Sequence, residues 1–206
     1  NLDRLQSTVD KLLDISKIEG KRLTLRYSLV NINALLKDSE KFFKELAAEK
    51  NIRLRYHYPK NDINLFVDAD RIVQILTNLI NNAIKFTEEH GHIDVDIEVL
   101  ETKVRIGVMD SGEGIAPADV NRVFDKFTQL TKDSKKAARG IGLGLSIVKE
   151  LVERHGGEIV LLERFNGAQQ QPVSEKHADA QADKAVENIA GGFDAGREMA
   201  GKDFYF

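Results

Sequence analysis

The chain has 206 residues, a formal net charge of −3 and no cysteine. That length holds one domain of about 100–200 residues with an appendage. The missing cysteine excludes disulfides, thiolate metal sites and a cysteine nucleophile, and the mild charge excludes a general attraction to nucleic acid or anionic lipid.

No apolar run approaches the roughly 18 residues of a membrane span. The chain starts in mid-pattern, without Met or a signal peptide. It is therefore expected to be a piece of a longer protein, compatible with a cytoplasmic setting, with any membrane anchor of the parent lying elsewhere.

Residues 2–19 read as a helix, with Leu2, Leu5, Val9, Leu12 and Ile15 on one apolar stripe and Gly20 as its stop. Such a helix either packs on its own domain or forms a dimer seam. "RLTLRYSLVNI" alternates and predicts a strand over 22–32. Asn31 or Asn33 can then cap a helix carrying Leu35, Leu36, Phe42, Phe43 and Leu46. "NIRLRYHY" and "NLFVD" predict strands. "ADRIVQILTNLINNAIKFT" predicts a strongly periodic helix burying Ile72, Ile75, Leu76, Leu79, Ile80 and Ala83.

"HIDVDIEVL" and "KVRIGVMD" flank a short turn and predict a hairpin. Pro117 can open a short helix, because its missing N–H costs nothing there. "LGLSIVKELVERHGG" predicts a helix stopped by Gly156, and "GEIVLLERF" a strand. Residues 166–201 are rich in Ala, Gln and Gly, and the strand-like "KDFYF" ends the chain. The fold class expected is α+β, a two-layer α/β sandwich of a mixed, mostly antiparallel sheet and three main helices, preceded by the N-terminal helix.

Three patterns carry chemistry. Asn78, Asn82 and Lys85 share one face of their helix. Two amide oxygens and an ammonium there could bind a hydrated magnesium ion and a phosphate, or could simply form a solvated face. In "DSGEGIAPADV", Asp110 ends a strand, and Gly112 and Gly114 let the backbone approach a flat ligand. The carboxylate can accept from an exocyclic amine such as adenine's, or the stretch is a plain turn. In "RGIGLGLSIV", Gly140, Gly142 and Gly144 lead into a helix whose N-terminus suits phosphates; the alternative is a hinge.

Between the last two patterns lie Lys126, Lys132, Lys135, Lys136 and Arg139, a basic run suited to a lid over phosphates or to an exposed loop. Phe124 and Phe127 are expected to anchor it to the core. Two imitations fail. A Rossmann turn needs glycine at Leu145, and the P-loop-like "GREMAGKD" ends in Asp203 where a hydroxyl residue is required.

In this order and spacing the patterns resemble the boxes of sensor histidine kinase ATP-binding domains, the GHKL superfamily with the Bergerat fold. "NLINNAIKF" is similar to the N box, "DSGEGI" to the first glycine box, "VFDKF" to the F box and "GIGLGL" to the second glycine box. "VDKLLDISKIEG" resembles the end of the dimerisation and phosphoacceptor helix. The resemblance divides the chain into residues 1–20, that helix end, and residues 21–206, the catalytic domain with an atypical insertion at about 166–201.

The resemblance implies ATP and Mg2+ as cofactors. It implies Asn82 on magnesium with Asn78 assisting, and Lys85 on phosphate. Asp110 would meet the adenine amine in a pocket shaped by Gly112, Gly114 and Ile115. Gly140, Gly142, Leu143 and Gly144 would close on the phosphates, with Lys126 near the γ-phosphate. The partners implied are a phosphoacceptor helix of the same dimeric kinase, a response regulator receiver domain and a second copy through the N-terminal helix; nucleic acid is not among them.

Arg139 and Ile141 depart from the usual second glycine box, and none of the five histidines lies in a phosphoacceptor context. The phosphoacceptor is therefore expected upstream. Family ATPases place Glu where this chain has Asn78, which favours phosphotransfer over hydrolysis. An ATPase and a non-catalytic nucleotide-binding module are the rival readings.

Overall fold

The computed structural model describes residues 9, 12–16, 20, 23–100, 103–129, 141–163 and 202–205. The remaining parts of the predicted N-terminal helix, the middle of the basic run and the segment 166–201 lie outside the described residues.

Residues 12–16 are helical, and the Gly20 N–H donates to the Ser16 carbonyl at 3.0 Å. Ile15 is buried in the domain core, whereas Val9, Leu12 and Leu13 are exposed. The strand predicted over 22–32 is shorter than expected. Among the described residues of that span only Ser28–Asn31 (β1) is paired, antiparallel to Asn64–Val67 (β3), in a separate two-stranded sheet. The physical reason lies at Arg26, whose N–H donates to the Asp68 carboxylate at 2.7 Å and not to a neighbouring strand.

Asn31 caps Ile32–Ala48 (α1), its side chain accepting from the Ala34 N–H at 2.9 Å. Asn33, the alternative cap, is buried and accepts from the Ile63 N–H at 3.2 Å. Phe42 does not join the core. It is 61% exposed and meets Phe43 edge-on, while Phe43 points inward. Arg53–His57 (β2) follows. Asp68 then caps Ala69–Phe86 (α2), which buries the six residues its periodicity predicts, together with Ile84.

His92–Val99 (β4) and Val104–Asp110 (β5) form the expected hairpin, with Ile93 opposite Asp110 and Val99 opposite Val104. Pro117–Arg122 is a single stretch of 3₁₀ helix. Gly144–Arg154 (α3) ends at Gly156, which holds the left-handed φ of 77° that glycine accepts freely. Val160–Glu163 (β6) and Lys202–Tyr205 (β7) complete a five-stranded sheet of order β2-β4-β5-β7-β6. Only β2–β4 is parallel, so the sheet is mixed and mostly antiparallel.

One sheet face, carrying Ile93, Val95, Ile106 and Val108, packs with the apolar faces of the helices. A fully buried Ile or Leu side chain contributes about 1.5–3 kcal/mol relative to an exposed one. That burial holds α2 and α3 together and so positions everything at their facing ends. On the opposite sheet face the nearly buried Asp94 carboxylate accepts from Arg55 Nε and Nη2 at 2.8 and 2.9 Å and pairs with His57 Nε2 at 2.8 Å. Among the described residues no helix is long and apolar enough to cross a membrane.

Candidate nucleotide-binding site

The polar stripe of α2 begins at Arg71 and runs through Gln74 and Asn78 to Asn82, positions three or four apart on one face. Asn78 and Asn82 are half-buried. The Asn78 Nδ2 donates to the Gln74 carbonyl at 3.0 Å. That bond turns Oδ1 away from its own helix and towards α3. A Cβ on Gly144, the first residue of α3, would stand 3.3 Å from that oxygen and 3.8 Å from the Asn82 Nδ2. The start of α3 therefore lies directly beside both asparagines.

That start is bare. Leu143 occupies the cap position and makes no side-chain capping bond. A helix leaves its first N–H groups without intrahelical partners, and the helix dipole adds partial positive charge there. An uncapped N-terminus beside two amides can hold an anion. Leu143 itself is 1% exposed, so its side chain belongs to the core and only its backbone faces the site. The Lys85 ammonium lies 4.7 Å over the ring of its neighbour Phe86. The last turn of α2 is closed by Lys50, whose Nζ donates to the Ile84 carbonyl at 2.6 Å.

Asp110 ends β5 and is 4% exposed. Its Oδ1 accepts from the Gly112 N–H at 2.8 Å. A Cβ on Gly112 would come within 2.7 Å of both that oxygen and the Phe86 carbonyl, so the loop after β5 touches the end of α2. Gly114 has a φ of 72° with open space around it, so conformation alone demands glycine there. Ile115 is half-buried in the same loop.

Sequence reasoning missed the floor beneath this loop. The Ser111 Oγ accepts from the His92 N–H at 2.9 Å. A Cβ on Gly91 would meet that Oγ at 2.7 Å and the buried Thr87 methyl at 2.4 Å. The cue was the glycine at 91, which a turn reading absorbs without trace.

Gly142 has a φ of 77°, and a Cβ there would stand 2.5 Å from the Thr128 carbonyl. The two ends of the basic run are thus in backbone contact. Phe124 packs against the core as expected. Phe127 does not; it is 60% exposed and holds a φ of 61°, a conformation a bulky residue rarely adopts. Lys126 is exposed beside it. Lys132, Lys135, Lys136, Arg139 and Gly140 lie outside the described residues.

Among the histidines, His155 is structural: it accepts from the Asp68 N–H at Nε2 (3.2 Å) and meets the Leu151 carbonyl through Nδ1 (2.7 Å). The carbonyl can only accept, so Nδ1 donates to it.

The model of the histidine kinase-, DNA gyrase B- and HSP90-like ATPase family matches residues 67–184, which hold both asparagines, Asp110 and the glycines. The chain belongs to this family. Within it, the chain is similar to the sensor histidine kinase WalK of Bacillus subtilis, 35% identical over 159 residues, covering 76% of this chain and 26% of WalK. It thus spans about a quarter of that relative's length.

Among solved structures, full-length ShkA in complex with AMPPNP superposes with a TM-score of 0.71 at 26% identity, over 99% of this chain and 35% of ShkA. Histidine kinase ThkA in complex with the response regulator protein TrrA gives 0.65 at 32%, over 81% of this chain and 45% of the other. The family member described here has the α+β architecture of a sensor histidine kinase ATP-binding catalytic domain.

Proposed function

We propose that this chain transfers the γ-phosphoryl of ATP to a histidine imidazole on a phosphoacceptor helix, as the catalytic part of a two-component sensor kinase. The observation that carries the reading is the meeting of Asn78 and Asn82 with Gly144 at the uncapped start of α3. It supports a phosphate site on one side of a pocket whose other side is the buried carboxylate of Asp110.

Asp110 accepts the adenine amine, and Gly112, Gly114 and Ile115 give the ring its room. Gly142, Leu143 and Gly144 offer backbone N–H groups to the phosphates. Lys85 is the cation for the phosphates, its ammonium turning from the Phe86 ring towards them, and Lys126 the one for the γ-phosphate. Asn82 and Asn78 fit magnesium. Their amide oxygens are hard donors, and the Gln74 bond leaves the Asn78 oxygen as the acceptor facing the phosphates. Beyond these two amides, the phosphate and water oxygens would supply the remaining ligands that magnesium favours. When bound, the ion neutralises phosphate charge. The rest of phosphoryl transfer is positioning by Asn78, Lys85 and the glycine backbones.

A neutral imidazole is already nucleophilic, so no strong base is needed at Asn78. An ATPase would need one there to activate water, and the Asn78 Nδ2 is already committed to Gln74. Residues 1–20 are read as the end of a dimerisation and phosphoacceptor helix, so the partners are a second copy, the phosphoacceptor helix and a receiver domain. The setting proposed is the cytoplasm.

The test supplies a separate phosphoacceptor domain and radiolabelled ATP. Acid-labile label on that domain is the expected result. ATP binding without any such label would leave a nucleotide-binding module and remove the kinase reading.

A further inference from the structure

The polar stripe that ends at the candidate phosphate site begins under the N-terminal segment. Asp14 lies there, beside the buried Ile15. The Gln74 Nε2 donates to the Asp14 Oδ2 at 2.6 Å. The Arg71 Nη1 donates to the Gln74 Oε1 at 2.7 Å and to the Asp14 Oδ1 at 3.4 Å. The three side chains thus close a ring, with Asp14 at 17% and Arg71 at 24% side-chain exposure. One turn further on, the Gln74 carbonyl accepts from the Asn78 Nδ2 at 3.0 Å. That same carbonyl takes the backbone N–H of residue 78 in a regular helix. Gln74 is therefore held by the N-terminal segment through its side chain, and it holds Asn78 through its backbone.

We propose that Asp14 is a positioning residue: by holding Gln74 it sets the Asn78 amide, and so couples the seating of the N-terminal segment on α2 to phosphate binding at the start of α3. The coupling is reciprocal by linkage. Occupancy at Asn78 tightens the seating of residues 12–16, and their release loosens the Asn78 amide. The apolar residues Val9, Leu12 and Leu13 are exposed, so a surface laid over them can shift the segment without touching the nucleotide. The inference rests on the reading of Asn78 as a phosphate- and magnesium-facing residue.

Two probes separate the outcomes, magnesium–ATP by calorimetry and adenosine by amide chemical shifts at Asp110 and Gly112. Adenosine reaches Asp110 but carries no phosphate for Asn78. In Asp14→Asn, which keeps the shape and loses the charge, magnesium–ATP affinity falls about threefold to tenfold, the scale of one hydrogen bond. Adenosine affinity stays unchanged. The exchange D14N/Q74E, which reverses donor and acceptor, recovers most of the loss. In the wild type, magnesium–ATP slows amide exchange across residues 12–16, and in D14N it does not.

Equal weakening of both probes in D14N means a merely structural role and overturns the proposal, as does no change in either. A wild type that binds adenosine but shows no gain from the phosphates removes the reading of Asn78 itself, and the coupling with it.

Discussion

Gly112 and the carbonyl of Phe86 touch, since a Cβ on the glycine would stand 2.7 Å from that oxygen. The contact joins the end of α2 to the loop that follows Asp110. The obstacle is backbone, which cannot rotate aside as a side chain does. Gly112→Ala should therefore push the loop off the helix, at the cost of about 1–3 kcal/mol typical of overpacking. Thermal melting should fall, and nucleotide affinity should fall further than stability alone explains. Gly114→Ala makes the contrast, because its surroundings are open and only its φ of 72° is strained. A Gly112→Ala variant as stable as the wild type would show that the loop has another seat.

Asn82→Ala should abolish the magnesium-dependent part of ATP affinity while leaving adenosine affinity in place. The residue lies beside Gly144 and on the same stripe as Asn78. Titrating ATP with magnesium and then with a chelator checks this. An unchanged magnesium effect in the variant contradicts the role given to Asn82.

Asp110→Asn tests base selection. The carboxylate accepts from the Gly112 N–H through Oδ1 and is the acceptor proposed for the adenine amine. An amide in its place can turn a donor towards the base. Affinity for ATP should drop about tenfold or more, as expected on removing a hydrogen bond to a charged group. The preference for ATP over GTP should shrink with it. A variant with undiminished discrimination would place adenine recognition elsewhere.

Much of this site was legible because its residues obey local rules. The α2 stripe follows from spacing alone, since apolar residues at Ile72, Ile75, Leu76 and Leu79 force Asn78 and Asn82 onto the other side. Asn31 at the start of α1 was readable from side-chain chemistry. What escaped reading depends on long-range contacts. Residues 22–27 alternate like a strand, yet Arg26 spends its N–H on Asp68, 42 positions away. Phe127 looks like a core anchor and turns out exposed, because its backbone must bend where it meets Gly142. Gln74 reads as one more polar residue on a helix until Asp14 is seen opposite it.

Two carboxylates on the outer face of the sheet should give opposite pH effects. For Asp94, burial pulls its pKa upward, but the hydrogen bonds from Arg55 and then His57 outweigh this and hold it below the usual value of 3.8. Its contribution to stability is therefore present above 3.8 and lost as pH falls through the lower folded value. Asp96, two residues along the same strand, is raised above 3.8, chiefly by burial, and the attraction of Arg105 does not cancel it. Its Oδ1 is buried without a hydrogen-bond partner. Keeping it charged opposes folding once pH exceeds 3.8, and the penalty is complete above the raised value. Asp94→Asn should thus lower the melting temperature at neutral pH and flatten the acid limb of the stability profile. Asp96→Asn should raise it at neutral pH and converge with the wild type in acid. Melting curves of both variants from pH 3 to 8 decide the matter, and a destabilised Asp96→Asn at neutral pH would mean that its attraction to Arg105 outweighs its burial.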